Sequence, residues 1–215
     1  LALHFHIVPE RYRGKLAAAL NENVKKHQYR ISTGFIGTPF VLFALADNGY
    51  FETAERMLFN EGYPSWLYEV NMGATTVWER WNSLMPDGTP NPDGMNSYNH
   101  YAYGSVMEFV YRRIAGIEET EAGFAKVRLV PHPCKNVSWL HARFDSVHGT
   151  IVSAYERTKD KIIYSFEVPE GVVAEIVLQG EPPVWAGCGK HCYERAFSGS
   201  DKREEKNSLR KFFGA

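Results

Sequence analysis

Apolar residues recur with two different periods along the chain, and the change falls near residue 123. Before it, "KLAAALNENV" places Leu16, Leu20 and Val24 four residues apart, the repeat of a single helical face. Thr38 followed by Pro39 reads as an N-cap with proline at the first helical position. The apolar run from Phe40 to Ala46 stops at "DNG", where Gly49 supplies a left-handed cap. That run is apolar on nearly every side, which predicts a buried helix. A shorter helix over about 51–60 ends at "NEG" and pairs with its predecessor as an αα-hairpin. Val106, Phe109, Val110 and Ile114 share one face of a further helix, over about 104–115, with Gly116 just past its end.

Beyond residue 123 the period falls to two. "KVRLVP", "VSWLHARF", "GTIVSAYER", "KIIYSFEV" and "VVAEIVL" are short β-rich runs separated by "HPCKN", "DSVHG", "TKD" and "PEG", the signature of an antiparallel β-sandwich. The expected organisation is therefore an all-α domain over 1–122 and a separate β-sandwich over 123–181. An extension over 182–215 is expected to be poorly ordered, or to hold a last strand before a flexible tail.

Composition narrows the function classes. The chain has 215 residues with 24 Lys and Arg against 25 Asp and Glu, a formal net charge of −1. Its basic residues are scattered except near the C-terminus, which argues against nucleic acid and an anionic membrane as partners. No apolar run approaches the roughly 20 residues that span a bilayer, and the start does not resemble a signal peptide. The chain reads as soluble, in the cytoplasm or in the periplasmic or secreted space, with its oligomeric state left open. Because "LALHFHIVPE" begins in mid-pattern, the chain reads as the C-terminal part of a longer protein. Cys134, Cys188 and Cys192 are too few for a disulfide framework, with room for one bridge. "CGKHCYE" offers Cys188, His191 and Cys192, short of the four ligands of a zinc site, so no metal is expected. "GFIG" lacks the glycines of a nucleotide loop, and no cofactor is called for.

The candidate chemistry centres on "TTVWERW", where Glu79 stands between Trp78 and Trp81 and beside Arg80. Indoles suit the apolar C–H faces of pyranose rings, and the Arg80 cation favours an ionised Glu79. The bland alternative is a helix N-terminus with a buried aromatic pair and a surface ion pair. Three neighbouring segments read as loops rich in glycine, aromatic and polar residues: "STGFIGTP" (32–39), "GYPSWLYEVNMGA" (62–74) and "MNSYNHYAYGSV" (95–106). The last carries Tyr98, Asn99, His100, Tyr101 and Tyr103. Together they predict a carbohydrate pocket at one end of a set of helical hairpins.

The stretches "TGFIGTPFVLFALADNGYFETAERMLFNEGYPSWLYEVNMGATTVWERWNS" and "GMNSYNHYAYGSVMEFVYRRIAGI" resemble the C-terminal half of the catalytic domain of family 78 glycoside hydrolases, the α-L-rhamnosidases. The similarity covers residues 1 to about 155 and fades after about Gly180. It implies part of an (α/α)6 barrel followed by a β-sandwich, and an inverting hydrolysis of terminal α-L-rhamnosides. Carried over, the family's general base falls on Glu79 and its sugar-contacting histidine on His100. Arg80, Tyr98, Asn99 and Trp81 are expected around the substrate, with Trp78 ranked lower. Asn82 stands where the family commonly has an acidic residue. The family's general acid lies upstream of Leu1, and Glu69, in "LYEV" read as a loop or short strand, is a poor substitute. The rival classes are another helical-barrel glycosidase or phosphorylase, and a non-catalytic carbohydrate-binding remnant.

Overall fold

The computed structural model describes residues 1–196. These divide into a helical unit, Leu1–Met107, and a β-rich unit that starts at Glu108.

In the helical unit α1 (Glu10–Lys26), α2 (Thr38–Ala46) and α3 (Phe51–Leu58) are followed by a short α4 (Trp66–Asn71). The buried positions of α1 are Ala17, Asn21 and Val24, with Leu20 partly buried, while Leu16 is exposed. The face is thus an i, i+3, i+4, i+7 stripe rather than the strict four-residue repeat expected, as 3.6 residues per turn require. Asn21 is buried because its Oδ1 accepts the Thr53 hydroxyl at 2.6 Å, which ties α1 to α3. Helix α2 is buried from Val41 to Leu45, as its uniform apolarity demands. Its N-cap is Gly37, one residue earlier than expected. Thr38 is already helical, and its hydroxyl turns back to the Gly34 carbonyl at 2.8 Å. Gly49 has φ +88, so it supplies the left-handed residue after α2.

A 3₁₀ turn (Ala102–Ser105) leads into α5 (Val106–Phe109) and a π turn (Val110–Ile114), closed by Ala115 N–H donating to the Val110 carbonyl at 2.8 Å. Strand pairing begins earlier than residue 123. β1 (Ile117–Glu121) pairs with β2 (Lys126–Leu129), so the change from helix to sheet falls at Gly116. The remaining strands are β3 (Trp139–Ser146), β4 (Gly149–Arg157), β5 (Lys161–Val168), β6 (Val173–Ile176), β7 (Val184–Ala186) and β8 (Gly189–Ala196). They form two four-stranded sheets, β1-β2-β6-β7 and β3-β4-β5-β8. All pairings are antiparallel but β2 with β6, which run parallel. β3 to β6 bury alternate residues, as a sandwich requires. The expected extension contributes β7 and β8, and its remainder from residue 197 lies outside the described residues.

None of the three cysteines is in a disulfide, Cys134 being buried and Cys188 and Cys192 exposed, so the one bridge allowed for is not formed. His191 and Cys192 are consecutive on β8 and point to opposite faces, and the His191 ring meets the Gly187 carbonyl at 2.9 Å. No helix among the described residues is long and apolar enough to cross a membrane.

Candidate active site

The site is built by two irregular segments of the helical unit held together through their backbones. Glu79 N–H donates to the Ser97 carbonyl at 2.9 Å, and His100 N–H donates to the Val77 carbonyl at 2.8 Å. The Thr76 hydroxyl donates to the Tyr98 carbonyl. Residues 76–79 and 97–100 therefore run side by side, and the intervening stretch is a compact excursion. Inside it the Ser83 carbonyl gathers Asn91 N–H at 2.9 Å, the Asn96 amide at 3.0 Å and the Tyr98 hydroxyl at 3.2 Å. Such saturation of a carbonyl beside a buried serine gives an irregular segment the rigidity of a regular element.

The Trp78–Trp81 stretch is non-helical, a bend at Glu79 and Arg80 that enters a turn at Trp81, which corrects the alternative of a helix start. Its direction follows from the pairing above. The Glu79 carboxylate is half-buried, and its Oε2 accepts Ser97 N–H at 2.9 Å. Its Oε1 accepts no hydrogen bond from the described residues. One oxygen is thus anchored and the other is available to a water. The expected ion pair with Arg80 is not formed among the described residues. Arg80 is tied through its backbone to Ser83, its carbonyl accepting the Ser83 hydroxyl at 3.0 Å, and its guanidinium reaches toward Gly94.

The aromatic rings of this region fall in two sets, and the charge of Glu79 is felt by Tyr103 in the first. In this buried set Trp81 is stacked on Tyr103 with centroids 3.8 Å apart, and Trp66 meets Trp81 edge-on at 5.5 Å. Trp66 Nε1–H donates to the Tyr103 carbonyl at 3.0 Å, and Trp81 Nε1–H to the Thr33 carbonyl at 3.3 Å. Trp78 is 3% exposed and packs edge-on against Tyr98 at 5.8 Å, so it is a core residue and not a wall open to ligand. The exposed set is a stack of three near-parallel rings, Phe35 on His100 at 4.8 Å and His100 on Tyr101 at 5.1 Å. His100 Nδ1 accepts Ala102 N–H at 3.3 Å, so the proton of the neutral ring sits on Nε2. Asn99 is exposed and tied through its backbone to the Ser97 hydroxyl.

The three expected segments do come together here, through Thr33 and Phe35 from the first, Trp66 from the second and His100 and Tyr103 from the third. The second differs from its reading as a loop, because Trp66–Asn71 is helix α4, capped by the Ser65 hydroxyl accepting Tyr68 N–H at 3.1 Å. Glu69 therefore sits on a helix, 4% exposed, with Oε2 accepting Trp78 N–H at 3.4 Å. Burial pushes its carboxyl up to about 8, against the opposing pull of the Trp78 N–H. The Tyr103 phenol is also pushed up, first by burial and then by the Glu69 and Glu79 carboxylates. A separate cleft of about 270 Å³, lined by Lys26, His27, Gln28, Arg30, Ile31, Ser32 and Pro64, shares none of these residues.

Residues 1–114 match the family described as the bacterial alpha-L-rhamnosidase 6 hairpin glycosidase domain, and residues 116–190 the bacterial alpha-L-rhamnosidase C-terminal domain. The chain belongs to the bacterial α-L-rhamnosidase family. Relatives include an alpha-L-rhamnosidase of Streptomyces avermitilis, 38% identical over 85% of this chain and 18% of its own length. One of Formosa agariphila is 37% identical over 83% of this chain and 19% of its own. Among solved structures, the Streptomyces avermitilis enzyme complexed with L-rhamnose superposes with a TM-score of 0.85 at 33% identity, over 90% of this chain and 21% of that one. The enzyme of Aspergillus terreus gives 0.85 at 31% identity, over 90% and 23%. The chain thus spans about a fifth of the length of the rhamnosidases it matches.

Proposed function

We propose that this chain carries the general-base half of an inverting α-L-rhamnosidase site, with Glu79 as the base. The observation that carries this reading is the Glu79 carboxylate itself, with Oε2 fixed by Ser97 N–H and Oε1 unoccupied by the described residues. A base that activates water must be ionised, held in one direction and left with an open lone pair. In an inverting glycosidase the attacking water lies between that base and the anomeric carbon, and a second carboxyl about 6.5–9.5 Å away protonates the leaving group. Glu69 does not fill that second role, because its side chain is buried and committed to Trp78 N–H. The general acid is supplied by a part of the enzyme outside this chain.

His100 has Nε2–H to offer a sugar hydroxyl, with its ring held by the flanking Phe35 and Tyr101. Asn99 and Tyr98 lie at the rim, and Trp81 acts from behind the site through Tyr103. The substrate class is a terminal α-L-rhamnoside, supported by the family and by the Streptomyces avermitilis relative bound to L-rhamnose.

The test is hydrolysis of p-nitrophenyl α-L-rhamnoside by the full-length parent enzyme, with Glu79→Gln beside it and the product anomer followed by NMR. The expected outcome is turnover with inversion, reduced about 10³-fold in the variant, and none by the isolated 215-residue chain. Sugar binding without turnover in a folded parent would mark a non-catalytic carbohydrate-binding protein. Turnover with retention would exclude the inverting assignment.

A further inference from the structure

Glu69 closes the loop that leads to Glu79. Its main-chain carbonyl accepts Met72 N–H at 3.1 Å and Ala74 N–H at 3.0 Å, which ends α4. Its side-chain Oε2 accepts Trp78 N–H at 3.4 Å. One residue therefore holds both ends of the stretch 72–78, and Trp78 is the immediate neighbour of Glu79. The Glu69 side chain is buried, and its Oε1 finds no hydrogen-bond partner among the described residues. A charged carboxylate in that position, with one long N–H bond and no ion pair among the described residues, carries a desolvation cost that the neutral acid avoids. Among the described residues the titratable group coupled to Glu69 is Tyr103, on the 3₁₀ turn, whose phenol feels both Glu69 and Glu79.

We propose that Glu69 is a positioning residue for the reaction. As an uncharged acid it fixes the bend that carries Glu79, and it leaves Glu79 the lone negative charge beside Tyr103. This rests on the reading of Glu79 as the base. Burial, which holds the Glu69 carboxyl up to about 8, supports the neutral form through the range where a glutamate base is ionised. On the alkaline side Glu69 ionises, and a second negative charge enters behind the site.

The test measures kcat and KM of the full-length enzyme on p-nitrophenyl α-L-rhamnoside over about pH 5 to 9.5 for three variants. Glu69→Gln keeps an oxygen acceptor for Trp78 N–H without the ionisable proton. Its kcat is expected within about threefold of wild type near pH 6, with the alkaline fall displaced upward. Glu69→Leu removes the acceptor and is expected to lower kcat about tenfold or more with KM changed less than about threefold. A Leu variant with wild-type kcat, or a Gln variant whose alkaline fall stays in place, overturns the inference. Should the Leu variant not fold, the Gln profile decides alone. Glu79→Gln run in parallel separates the two ideas. If it remains active the general-base reading has failed, and if it is inactive while both Glu69 variants behave as wild type, only the role of Glu69 has failed.

Discussion

The two glutamates of this region differ by environment alone. Glu79 is half-buried on a bend and receives a backbone N–H at 2.9 Å, whereas Glu69 is buried on a helix with a single N–H at 3.4 Å. The difference has a consequence for stability. The Glu69 carboxyl is raised from 4.5 to about 8, so the folded protein keeps a proton that the unfolded chain releases above 4.5. Its favourable contribution is complete below 4.5, declines as pH rises through the window up to about 8, and is flat above it, amounting to a few kcal/mol at most. Thermal unfolding of the full-length protein against Glu69→Gln checks this. The Gln variant's relative melting temperature is expected to climb between about pH 5 and 8 and then level off. A parallel pH dependence in the two proteins would mean that Glu69 titrates normally. At this scale the sequence was partly legible: the aromatic density around Glu79 and the presence of His100 were plain. The partners were not, because Ser97, Phe35 and Tyr103 meet Glu79, His100 and Trp81 only through the fold.

Among the elements, those with a strong period were legible and those at edges were not. β5 follows the apolar alternation, with Ile162, Tyr164, Phe166 and Val168 buried, and β4 buries every second residue over Ile151, Ser153 and Tyr155. β1 is "IEETE", buried only at its first residue, and β8 reads "GKHCYERA" with no buried position. Edge strands such as these hold their place by backbone pairing and show no binary pattern. Helix α4 escaped because six residues cannot display a helical period, although Ser65 before it and Gly73 with φ +88 after it mark both ends. Gly116 is the element junction that sequence did flag. It has φ +72, and an added Cβ would stand 2.0 Å from the Val130 carbonyl carbon, in backbone that cannot swing aside. That contact carries Val130 N–H to the Gly116 carbonyl at 2.8 Å, which starts the β1–β2 pairing. Gly116→Ala is expected to destabilise the β-rich unit by about 3 kcal/mol or more, with loss of soluble protein. A variant within about 1 kcal/mol of wild type in denaturant unfolding would show that the junction can open.

At the level of the whole molecule, the change of period seen near residue 123 reflects a physical division, with the boundary by contacts at Met107/Glu108 and the two family domains meeting at 114 and 116. Within the β-rich unit Val127, Leu129, Ile151, Tyr155, Tyr164, Phe166, Ala174 and Ile176 are all buried. Its entry is sealed from within as well, since the Ser153 hydroxyl donates to the Ala115 carbonyl at 2.6 Å and Tyr111 reaches the Arg143 carbonyl at 3.1 Å. Arg157 closes the turn before β3 by donating to the Cys134 and Lys135 carbonyls at 2.9 and 2.8 Å. A unit with two paired sheets, a set of buried apolar residues and these internal hydrogen bonds is expected to fold by itself. A polypeptide of residues 108–208 should therefore show β-type circular dichroism and one cooperative thermal transition. A broad, non-cooperative melt or exposed apolar surface by dye binding would mean that the sheets depend on the helical unit. The helical unit carries the opposite expectation, because the family domain it matches has six hairpins and this chain spans about a fifth of its relatives. Expressed without the β-rich unit, residues 1–107 should bind such a dye and aggregate, which would tie the shape of the Glu79 site to further hairpins.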